Sequence, residues 1–106
     1  MPKYLTQCNY VGDGLKGLLK DGGTSRRAVV EKMIQSVGGT MESCYYAFGE
    51  TDLFIIADLP DNVSMSAMSL LVNATGALTV KTTVLLTPEE VDQAVKKNPA
   101  YQPPGQ

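Results

Sequence analysis

Two stretches with helical spacing, each stopped by glycine, are interleaved with four strand-like runs, and that alternation constrains the chain more than any other feature. The first helical stretch opens near Thr24 or Ser25 and places Val29, Val30, Met33, Ile34 and Val37 on one face, with Gly38-Gly39 as a left-handed stop. The second opens at Pro60-Asp61-Asn62 with Asp61 as cap, carries Val63, Ala67, Leu70, Leu71 and Ala74, and ends at Gly76. The runs 3–10 (KYLTQCNY), 40–48, 53–59 and 77–86 read as strands. A short helical segment, 13–21, sits before the first long helix. Thr87-Pro88-Glu89-Glu90 forms a capping box that opens a final short helix to about Lys97.

The order β-α-β-β-α-β defines an α+β chain of the ferredoxin-like type: a four-stranded antiparallel sheet in the order 4-1-3-2, helices on one face, and an extra short C-terminal helix. One domain is expected over residues 1–97, followed by a Pro-rich flexible tail, 98–106. A sheet covered on one face should alternate apolar and polar residues. The third strand, LFIIADL, does not: Phe54 and Ile56 oppose Leu53, Ile55, Ala57 and Leu59. A second copy of the chain is the simplest cover for the open face, so a homodimer is expected, with higher oligomers left open.

Composition narrows the function classes. The net charge of −2 over 106 residues, with no basic stripe, argues against nucleic-acid binding. No apolar run is long enough for a membrane span, and MPKYLTQ lacks the apolar core of a signal peptide, so a cytoplasmic protein with reduced Cys8 and Cys44 is expected. There is no histidine, which removes the usual general base and metal ligand; no metal and no cofactor are expected.

The segment YAFGETDLFIIADLP raises the question of whether GETD is a turn or an acid pair. The turn reading gives Gly49 positive φ and Asp52 local backbone bonds. The catalytic reading pairs Glu50 with Asp52, but a hairpin tip rarely encloses a carboxylate enough to raise its pKa.

Three stretches, KYLTQCNY with GLKGLLKDGGTSRR, FGETDLFIIADLPDN, and LTVKTTVLLTPEEVDQA, resemble the GYD domain family from Met1 to about Val95. Thr51 stands where the family usually has an aromatic residue. The resemblance implies a ferredoxin-like fold of the dimeric α/β-barrel kind and brings no catalytic set with it.

Arg26 and Arg27 are the unusual local choice. They occupy the first turn of a helix, where the macrodipole disfavours cations, and Arg26 shares a face with Val30, Met33 and Val37. Either an ion pair with Asp21, Asp58 or Asp61 or an anion site explains them. With strands one and three taken as parallel, Arg26 falls near Tyr10, Asp58 and Asp61, and GETD lies roughly 20 Å away at the other end of the sheet. Lys16, on the glycine-flanked 13–21 segment, reaches toward the same end. The candidate ligand set is therefore Arg26, Arg27, Lys16, Tyr10 and Asp58. Three functions compete: a binding protein for a small anionic metabolite in a pocket between helices and sheet, a cofactor-independent isomerase or monooxygenase, and an assembly or regulatory protein without a small ligand.

Overall fold

A computed structural model describes residues 1–106. The chain runs β1 (Lys3–Tyr10), α1 (Asp13–Asp21), α2 (Gly23–Ser36), β2 (Thr40–Tyr46), β3 (Leu53–Asp58), α3 (Asn62–Ala74), β4 (Leu78–Leu85) and α4 (Pro88–Val95). The sheet order is β2-β3-β1-β4, the expected 4-1-3-2 read from the other edge. The core lies between the sheet and the α2–α3 layer, around Tyr4, Cys8, Ile34, Leu53, Ile55, Ala57 and Leu59. Leu53, Ile55 and Ala57 are buried there, while Phe54 and Ile56 are half-buried on the opposite, helix-free face.

One expectation fails in a way that moves the site. β1 and β3 are antiparallel, with Lys3 opposite Asp58 and Cys8 opposite Leu53. The cause is topological. The crossover through α2 makes β1 and β2 parallel, and β3 enters between them from a tight hairpin, so it must oppose both.

The long helices also differ in detail from expectation. α2 has no side-chain cap; Gly22, at φ +82°, is its N-cap and joins it directly to α1. Its stop is as expected, with Gly38 at φ +85°. α3 has its Asp61 cap, the carboxylate accepting from Ser64 N at 2.8 Å, but the buried face carries Met65 and Met68. Val63, Leu70 and Leu71 of the anticipated face are 77%, 72% and 64% exposed. α4 has the full capping box, Thr87 with Glu90.

A β-bulge between Met41 and Ser43 sets Glu42 beside Lys3, whose ammonium also meets Asp58 Oδ1 at 3.0 Å. Asp58, then Glu42, raise the Lys3 pKa against its partial desolvation.

Candidate functional site

The reversal of β3 brings the GETD hairpin to the same end of the sheet as Tyr10 and the start of α2. Asp52 ties that end together. Its carboxylate accepts from Tyr10 N at 3.0 Å, and its own N–H donates to Cys8 O at 3.0 Å and to Asn9 Oδ1 at 3.1 Å. Ala47 N donates to Asp52 O at 2.9 Å, closing the hairpin. The tetrapeptide is thus a turn whose Asp52 carboxylate accepts from the Tyr10 backbone N–H, and Glu50 is exposed. Gly49 is not in the positive-φ region; the loop from 47 to 52 is long enough to turn without it.

Beneath α2 and α3 lies a cavity of about 80 Å³, lined almost wholly by apolar side chains, Cys8, Tyr10, Val30, Leu53, Met68 and Leu78 among them. Arg26 is the one charged residue in its lining. It is half-buried, and it takes no part in the three ion pairs of the protein, which are Lys3–Glu42, Lys3–Asp58 and Lys16–Asp13. The ion-pair explanation of Arg26 therefore lacks its carboxylate.

Tyr10 also lines a second, more open cleft of about 350 Å³, walled by Leu15, Leu18 and Leu19 of α1 and by Tyr46, Ala47 and Phe48 of the hairpin. The Tyr46 hydroxyl donates to Gly23 O at 3.1 Å. Burial first, then the neighbouring Tyr10 hydroxyl, push the Tyr46 pKa up to about 12, against the lowering field of Arg26.

The structure brings Arg26 and Tyr10 together and separates the rest. Asp58 is at the far end of the sheet with Lys3, and Asp61 caps α3 at that same end. Lys16 points outward, 81% exposed and 3.7 Å from Asp13. Arg27 is exposed and lies toward β2, where its charge acts on Cys44. Tyr46 and the wall formed by Leu15, Leu18 and Phe48 were missing from the sequence-derived set; the hairpin between β2 and β3 was the signal that could have supplied them.

Both cysteines are free. Burial, with a smaller contribution from Cys44, pushes the Cys8 thiol up to about 11. Burial also raises Cys44. Since Cys8 titrates near 9.0 when unperturbed, the unfolded chain loses this proton first as pH rises. Stability should therefore be unaffected below pH ~9 and fall by about 2–3 kcal/mol between pH ~9 and ~11. Urea titrations at both ends of that window check this. Cys8→Ala should make the fall shallower by that amount, the raised Cys44 and Tyr46 leaving the remainder, while a profile unchanged by the substitution would contradict it.

A single α+β domain with this sheet order has the ferredoxin-like architecture. The GYD domain family matches residues 4–95, and the chain belongs to that family. Neither the curated proteins nor the solved structures contain a match.

Proposed function

We propose that the protein binds a small anionic ligand with a compact apolar body, its charge on Arg26 and its body in the cleft between the helices and the sheet. The observation that carries this is the unpaired, half-buried guanidinium at the rim of an otherwise apolar cavity. A buried or partly buried cation needs a counter-charge, and no side chain of the protein supplies one. The inner cavity is small, so the ligand's bulk extends past Tyr10 into the outer cleft under α1.

The groups at the mouth suit binding better than proton transfer. Asp52 accepts from the Tyr10 backbone N–H, and the Tyr46 hydroxyl, protonated at neutral pH, already donates to Gly23 O. We further infer a homodimer through the helix-free sheet face, where Leu5, Phe54, Ile56 and Leu85 are half-buried. Light scattering should return about twice the 11.4 kDa chain mass.

The test of binding is calorimetry with benzoate, using benzyl alcohol as the uncharged control. Benzoate should bind, the alcohol should not, and Arg26→Ala should weaken benzoate by roughly 10- to 150-fold, the value of one charge-assisted interaction. Stability should be nearly unchanged, because no carboxylate is orphaned. Equal binding of the two compounds, or an Arg26→Ala variant with parental affinity, overturns the reading.

A further inference from the structure

The C-terminal arm has no seat on its own subunit. Every residue from Pro88 to Gln106 is exposed, including the apolar Val91, Val95 and Tyr101. The molecule measures 58 × 32 × 23 Å with a radius of gyration of 17.0 Å, against about 13 Å for a compact chain of this length. An isolated helix of eight residues is marginal in water, yet α4 has a complete capping box, a sequence investment that makes sense where the helix is held by packing.

The same molecule carries a receptor for such a helix. α3 has no charged residue in its 13 positions, and its outer face exposes Val63, Leu70 and Leu71. A surface helix apolar on both faces is one that something covers. Between α3 and the edge strand β4 runs a groove of about 530 Å³ with Tyr4, Met65, Leu70 and Val84 in its lining. In this conformation the chain does not fill its own groove: no residue from Pro88 to Gln106 is in its lining, and all of them are exposed.

From these features we propose that the arm of one chain docks in the α3–β4 groove of a second copy, with Val91 and Val95 against Leu70 and Val84, the exchange being reciprocal. In a reciprocal exchange each chain contributes the eight residues of α4 and the eight that line the groove, and the exposed Tyr101 beyond α4 can add to them. The uncharged α3 surface opposes none of the acidic residues Glu89, Glu90 and Asp92 on the polar side of α4. The inference stands apart from sheet-face pairing, since groove and open sheet face lie on different sides of the sheet.

The test mixes two chains of full length. One is ¹⁵N-labelled and unmodified. The other is unlabelled and carries a nitroxide on Gln93→Cys, on the side of α4 away from Val91 and Val95, in a Cys44→Ser background; Cys8 is buried and unreactive. Broadening of α3 and β4 amides in the ¹⁵N-labelled chain is the expected result. No intermolecular broadening of the ¹⁵N-labelled chain overturns the proposal. Broadening centred on Leu5 and Ile56 overturns the groove while leaving sheet-face pairing intact. A nitroxide at Leu19→Cys, far from the arm, is the control and should leave the α3 pattern unbroadened.

Discussion

Replacing Leu59 with alanine should remove about 2–5 kcal/mol of stability, a large share of the 5–15 kcal/mol that a domain of this size possesses. Leu59 is the most enclosed side chain, 0% exposed, in the junction between β3 and α3. Its neighbours cannot close over the gap easily. Its backbone N–H is held by Pro2 O at 3.0 Å, and Gly39 backs so closely onto it that a Cβ there would sit 2.7 Å from Leu59 Cδ2. A cavity flanked by tethered backbone stays open, which puts the cost toward the upper end of the range. Urea denaturation should show a lower midpoint with an unchanged slope. The comparison substitution is Leu70→Ala, the same chemistry at a side chain 72% exposed, which should change stability by no more than about 0.5 kcal/mol in a dilute sample. A Leu59→Ala cost below about 1 kcal/mol would mean that this junction is not part of the core.

The contrast between these two leucines also shows what was legible in the sequence. Element order, strand order, the Asp61 and Thr87 caps and the glycine stops all come from local rules, and the structure has them. The inward face of α3 was not legible, because Val63, Met65, Met68, Leu70, Leu71 and Val72 leave apolar residues nearly all round the helix. Periodicity cannot choose between two apolar faces; the sheet chose the methionines, whose unbranched side chains fit an irregular gap. Arg26 was found because a cation against the helix dipole is a local anomaly. Its neighbourhood was misplaced because strand direction is a property of the whole path. Once β2 and β3 are joined by a hairpin, β3 must run against β1, and Asp58 is exchanged for Tyr46 beside Tyr10 as the company of Arg26.

Gly14→Ala and Gly17→Ala, one substitution made three residues apart on α1, should have opposite signs. A Cβ on Gly14 would lie 1.9 Å from Ala77 O, a backbone atom that already accepts from Val11 N at 2.9 Å. Neither partner is a flexible side chain, so the helix must lift away from the start of β4. The cost should be about 1–3 kcal/mol, the usual penalty of overpacking. Around Gly17 there is nothing within 4 Å, and alanine there should stabilise α1 by about 0.5–1 kcal/mol through helix propensity. Because α1 supplies Leu15, Leu18 and Leu19 to one wall of the outer cleft, the two variants should also diverge in function. Gly14→Ala should speed amide exchange over 13–21 and weaken benzoate, while the β1–β3 amides keep their protection. Gly17→Ala should slow exchange over the same segment and leave affinity equal or better. Equal exchange in both variants would show that the Ala77 contact does not anchor α1. Benzoate affinity unchanged by a detached α1 would confine the ligand to the inner cavity beside Arg26.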